Sequence, residues 1–176
     1  MLLAALIFFG TRLVVQNFRV EGPSMRPNLI NSQFLLVSKL AYLAGEPQRG
    51  DIIVFRSPRR SSEDLVKRVV GLPNETVEIR GGSVYVNGQR LDEADYLDVR
   101  TRPDMRLRPV PVDSYFVLGD NRPESRDSRS LGAIPRASIV GRVWLIYWPP
   151  DRFGVVDDGH AQLQPVPQRV ALPAAA

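Results

Sequence analysis

Eight short runs with strand character recur along this chain, and each is broken off by glycine, proline or polar turn residues before it could complete three helical turns. They cover residues 14–20, 34–40, 52–56, 65–70, 76–80, 83–86, 115–118 and 139–147. The punctuation is dense, with 13 glycines and 15 prolines in 176 residues, above ordinary usage. "RGGS" joins two of the runs and "VNGQ" ends another, placing glycine where tight hairpins demand a positive φ. No long helical periodicity competes. The pattern predicts a mostly β fold, an antiparallel coiled sheet of meander type, and the length suits one domain with one core and a small insert. Residues 93–111, charged and proline-rich without periodicity, read as loop within an insert spanning about 81–111. From residue 151 to 176 the chain turns to Pro, Ala, Gln and Val and is expected to be a loosely held tail.

The first segment, "MLLAALIFFGTRLVV", is apolar but interrupted by Arg12. It is shorter than the roughly 20 residues of a membrane-crossing helix, and it lacks both the charged n-region and the small-residue cleavage site of a secretory leader. Its positive charges, Arg12 and Arg19, lie on the C-terminal side. The expectation is that residues 1–16 are the C-terminal half of a membrane anchor; the alternative is a buried apolar helix.

Net charge is +4 with a pI near 9.8, which suits an anionic neighbour. The basic residues are nevertheless scattered among acids, and neither an aromatic RNA-binding segment nor a helix-turn-helix is present. Nucleic acid is not the expected partner, and a membrane surface is. The chain contains no cysteine, which excludes disulfides, thiolate metal sites and a cysteine nucleophile. Neither a metal nor another cofactor is expected.

Within "EGPSMRPNL", Ser24 is either a turn residue or a nucleophile, and a serine hydroxyl needs a base to attack at neutral pH. His160 is the only histidine and falls in the tail, so a Ser/His/Asp triad is not expected. Of 23 basic residues all but Lys39 and Lys67 are arginines, which stay protonated at working pH. A lysine is therefore the candidate base, although a carboxylate stays open. On a strand, Lys67 shares a face with Leu65 and Val69, and apolar flanks lower a lysine pKa by desolvation. Lys39 shares a face with Val37 and is not eliminated by pattern. A lysine that snorkels to solvent is the plain structural alternative for Lys67.

Three segments together resemble the type I signal peptidases of bacteria, Ser/Lys enzymes that release exported preproteins from the membrane. They are "VEGPSMRPNL", "RGDIIVF" followed by "LVKRVVGLPNETVEI", and "VLGDNRPESRDSR". The resemblance covers about residues 18–149. It implies a β-rich peptidase domain over 17–150, held at the extracytoplasmic side of the cytoplasmic membrane by a single-pass anchor. Its partners would be signal peptides of exported preproteins and membrane phospholipid. Ser24 corresponds to the nucleophile, Lys67 to the general base, and Ser125 to a serine that hydrogen-bonds the lysine. Asp127 with Arg129, and Asp120 with Arg68, correspond to supporting ion pairs. Met25, Phe18, Val20, Leu29, Val54, Leu65 and Val66 correspond to the walls of shallow pockets that favour Ala-X-Ala. Some members carry a serine two residues before the nucleophile as an oxyanion donor; this chain has Gly22 there, leaving the Ser24 N–H and the Gly22 main chain as candidate donors. The second β-domain of larger members is expected to shrink here to a hairpin and loops. The alternatives from other classes are a non-catalytic membrane-associated module and a self-cleaving regulator of the LexA type.

Overall fold

A computed structural model describes residues 15–43, 45–59, 62–97, 99–157, 159 and 161–164. The segment expected to be an anchor lies outside these residues up to position 14, and so does His160. Among the described residues no helix is long and apolar enough to cross a membrane. Val15 and Gln16, placed by sequence both at the end of the anchor and in the 14–20 strand run, belong to the first strand.

Among the described residues twelve strands form two antiparallel sheets. The large sheet runs β1 (Val15–Arg19), β2 (Phe34–Ser38), β11 (Ile139–Trp148), β3 (Ile52–Arg56), β4 (Asp64–Gly71), β9 (Ser114–Leu118), β10 (Ile134–Pro135), with β12 (Gly154–Val155) added to β11. β11 is long enough to serve two partners on one side. Its first half pairs β3 and its second half pairs β12, while β2 lies along its other edge. Irregular register along β11 and β4 bends the sheet. A turn of helix, α1 (Ser128–Leu131), follows β9 and is capped by the Asp127 side chain, which accepts from the Arg129 N–H.

The small sheet has the order β7 (Gln89–Arg90), β6 (Ser83–Val86), β5 (Thr76–Arg80), β8 (Met105–Pro109). It buries Val77, Ile79, Val84, Val86 and Met105 in a core shared with Val70, Phe116 and Leu118 of the large sheet. The insert is therefore a four-stranded sheet and not a hairpin with loops, because β8 uses backbone pairing to β5 in a stretch whose sequence shows no alternation. A second core, with Val20, Met25, Leu29, Leu35, Val37, Ile52, Val54 and Val143, lies beneath the β1–β2 end.

Up to Gln164, the described residues after Pro149 depart from the loose tail expected over 151–176; residues 165–176 of that expectation lie outside the described residues. Besides β12, Val156 is buried in the second core. Leu163 bridges Leu91, and Asp92 and Gln164 donate to the carbonyls of Gln162 and Arg90. Backbone pairing with the insert holds residues that have little amphipathic pattern of their own.

Candidate active site

After β1 the chain turns at Gly22, whose φ of +88° favours glycine. Arg26 N–H then donates to the Pro23 carbonyl at 3.0 Å, and Leu29 N–H to Met25 at 2.9 Å. Met25 and Leu29 are buried and pin this turn to the core, with Ser24 at its crest. Lys67 comes from β4, a central strand paired with β3 and β9 and buried from Lys67 onward. Its Nζ lies 2.7 Å from Ser24 Oγ and 2.7 Å from the Val66 carbonyl. Lys39 sits half-buried just beyond β2 and does not line this cleft. Of the two lysines, the fold brings Lys67 to the serine.

Lys67 is only 2% exposed, so it does not snorkel. Burial lowers its pKa from 10.5 to about 8; the carboxylates of Asp127, Asp120 and Glu63 act in the opposite sense, and Arg126 adds to the lowering. The amine is thus poised near neutrality by loss of water, with a hydroxyl oxygen at contact distance.

The cleft runs between β1 and β4, brought opposite each other by the coil of the sheet. Phe18, Val20, Met25, Leu65 and Val66 line it beside Ser24 and Lys67. Leu29 and Val54, expected in the same walls, lie one layer deeper in the core. Glu21, Glu63 and Asp64 stand at the rim.

Behind the serine lies a polar layer. Arg68 holds both oxygens of Asp120 at 2.9 Å and is completely buried. Arg129 pairs with Asp127 at 2.8 Å, and Asp127 in turn accepts the Gly119 N–H at 3.0 Å. Both supporting pairs form between the residues the sequence indicated. Others were not anticipated. Arg122 donates to the Gly119 carbonyl at 2.8 Å and pairs with Glu93 at 2.6 Å. Asn28 donates to Asp120 and to the Tyr96 carbonyl, and the Tyr96 ring lies 4.0 Å from the Arg68 guanidinium. Desolvation raises the Tyr96 pKa, keeping the phenol neutral. Asn28, Asn121 and Arg122 stand inside the segments that carry the resemblance, so their position was a signal; Glu93 and Tyr96 fall in the insert and had none.

Two expectations are corrected. The Ser125 hydroxyl does not bond Lys67: among the described residues it is buried without a partner, packed against Gly119, where a β-carbon would collide with both this hydroxyl and the Ser24 carbonyl. The hydroxyl's bond is set by its rotamer, which sequence does not encode. The Gly22 N–H is spent on Asn31 Oδ1 at 2.9 Å, so the turn's own closure takes the donor proposed for the oxyanion.

A sequence model described as "Signal peptidase, peptidase S26" matches residues 1–148. A signal peptidase I of Leptolyngbya laminosa is 41% identical over 162 residues, covering 86% of this chain and 78% of that protein. One of Bacillus caldolyticus is 41% identical over 153 residues, 80% and 83% of the two chains. A crystal structure of a signal peptidase I from Enterococcus faecalis aligns with a TM-score of 0.49 at 39% identity, covering 55% of this chain and 96% of that one. With the matched family profile and relatives spanning most of its length, this chain belongs to the signal peptidase I family of S26 serine endopeptidases.

Proposed function

We propose that this signal peptidase cuts exported preproteins after small residues, with Ser24 as nucleophile and Lys67 as general base. The observation that carries the reading is the 2.7 Å approach of a desolvated lysine amine to Ser24 Oγ. With a pKa of about 8, roughly a fifth of the lysine is neutral at pH 7.4. Neutral Lys67 takes the Ser24 proton as Oγ adds to the scissile carbonyl carbon, and the charge that develops on the carbonyl oxygen faces the Ser24 N–H. Lys67 then returns the proton to the departing amine as the C–N bond breaks. A water, deprotonated by the same amine, hydrolyses the acyl-serine ester and frees Ser24. Asp120 with Arg68 and Asp127 with Arg129 hold the segments and perform no proton transfer.

The cleft's apolar walls favour an Ala-X-Ala pattern, since larger side chains would meet Phe18, Met25 and Leu65. Phospholipid is the second partner. Trp148, Phe153 and Val155 are exposed by 52%, 66% and 76% in and around the β11–β12 hairpin, an arrangement that suits an interface with acyl chains. The catalytic domain then works at the extracytoplasmic face of the cytoplasmic membrane, held there by an N-terminal anchor. Preprotein cleavage by wild type, Ser24→Ala and Lys67→Ala tests the dyad. Both variants should be inactive and folded, and kcat/KM of wild type should rise through about pH 8. A rise only near pH 10 would remove Lys67 from the role of base.

A further inference from the structure

With the Gly22 N–H engaged by Asn31, the Ser24 N–H is the donor left for the oxyanion, and among the described residues it donates to no protein acceptor. Its aim is set by the peptide it belongs to. In a trans peptide the C=O of one residue and the N–H of the next point in opposite directions within one plane, so whatever fixes the Pro23 carbonyl fixes the Ser24 N–H. Two donors hold that carbonyl. One is the Arg26 N–H of the turn itself, at 3.0 Å; the other is Nδ2 of Asn121, at 3.2 Å, from a segment almost a hundred residues away in sequence. Asn121 also donates its backbone N–H to the Ser24 carbonyl at 3.0 Å. A single residue therefore clamps the peptide on either side of the nucleophile.

Asn121 is itself held from behind. The preceding Gly119 is fixed at its N–H by Asp127 and at its carbonyl by Arg122, and Asp120 is fixed by Arg68 and Asn28. We propose that Asn121 is a positioning residue for the oxyanion: its side-chain amide holds the Pro23 carbonyl so that the Ser24 N–H points into the cleft. The inference rests on the reading of Ser24 as nucleophile.

Asn121→Asp keeps the shape of the side chain and removes the donor. Asn121→Ala deletes the amide, keeps the backbone bond to Ser24, and serves if the added charge beside Glu124 unfolds the first variant. The expected result is a fall in kcat of roughly 10- to 50-fold, below the loss from deleting an oxyanion donor outright, with KM within about twofold. For Asn121→Ala the pH of the rising limb should not move, because no charge is added near Lys67; for Asn121→Asp a new carboxylate would move it toward alkali. Affinity for a peptide aldehyde, whose hemiacetal oxygen occupies the oxyanion position, should fall in parallel with kcat, while affinity for the cleaved signal peptide should not. A merely structural staple would lower the melting temperature and affect aldehyde and product alike, and that outcome, or an unchanged kcat, overturns the proposal. Ser24→Ala is the control: if it retains cleavage, the nucleophile reading fails; if it is inactive while both Asn121 variants are fully active, only the present inference fails.

Discussion

On the cleft side of β4, Lys67 meets a hydroxyl and a carbonyl; its sequence neighbour Arg68, equally dry, meets both oxygens of Asp120 and the Gly50 carbonyl. Burying an unpaired cation is costly, and a protein answers either by pairing the charge or by letting the group neutralise. The polar layer takes the first course with Arg68, Arg122 and Arg129, each opposite a carboxylate. Guanidinium leaves no other choice, since it keeps its proton. The cleft takes the second course with an amine that can lose its proton, and its pKa falls to about 8. A base and a scaffold thus differ in residue type and in partner, although they are adjacent in one strand.

The sharpest way to break this contrast is to exchange the two chemistries. Lys67→Arg should lower kcat/KM by at least about a thousandfold, because the base disappears even though the positive charge stays. Measurable cleavage within tenfold of wild type would show that proton transfer runs elsewhere. On the other side, Arg68→Met leaves Asp120 buried with Asn28 as its remaining side-chain donor, and half of a broken buried pair costs about 3–5 kcal/mol of stability. Denaturant unfolding should register that loss, while kcat of the folded protein changes far less, since Arg68 touches neither Ser24 nor Lys67. Comparable losses of turnover from both substitutions would erase the distinction between scaffold and base.

A third substitution reads the same contrast as stability. The Lys67 pKa is depressed, from 10.5 to about 8, so between those values the unfolded chain binds more protons and stability rises with pH. Below pH 8 both states are charged and the fold carries the whole penalty, about 3 kcal/mol at 1.36 kcal/mol per pH unit. Lys67→Met should therefore be inactive and more stable than wild type at pH 7 by up to about that amount. The advantage should shrink across the window and vanish above pH 10.5. A methionine variant less stable at pH 7 would mean that the amine's bonds to Ser24 and Val66 offset its desolvation.

How much of this was legible in the chain follows the same physics. Strands such as β3, β4 and β11 stood out because burial forces apolar runs and Pro58, Gly71 and Pro149 mark where they stop. β8 was hidden, since only Met105 of its five residues is buried and Arg-Leu-Arg-Pro offers no alternation; it is held by backbone bonds, which carry no side-chain signature. β12 and residues 161–164 escaped notice for the same reason. Scarcity narrowed the base to two lysines among 23 basic residues, Lys39 and Lys67, and only the resemblance pointed to Lys67. What Ser125 and Gly22 do was not legible, because a hydroxyl rotamer and the destination of one N–H are decided by neighbours distant in sequence.

The smallest expected effect lies beside the cleft, where Glu63 of its wall pairs with Arg126 at 37% and 43% side-chain exposure. An exposed pair of this kind is worth roughly 0.2–1 kcal/mol at most, so either substitution should leave unfolding almost unchanged. Their influence on Lys67 has opposite signs: Glu63 raises its pKa and Arg126 lowers it. Glu63→Gln should then move the rising limb of kcat/KM slightly toward acid, and Arg126→Gln slightly toward alkali, with both displacements shrinking as salt screens the charges. Glu63 also lines the cleft, so a purely steric role would change KM for Glu63→Gln without displacing its limb. Displacements in the same direction, or ones unaffected by salt, would mean that the rim acts on Lys67 through its shape and not through its charge.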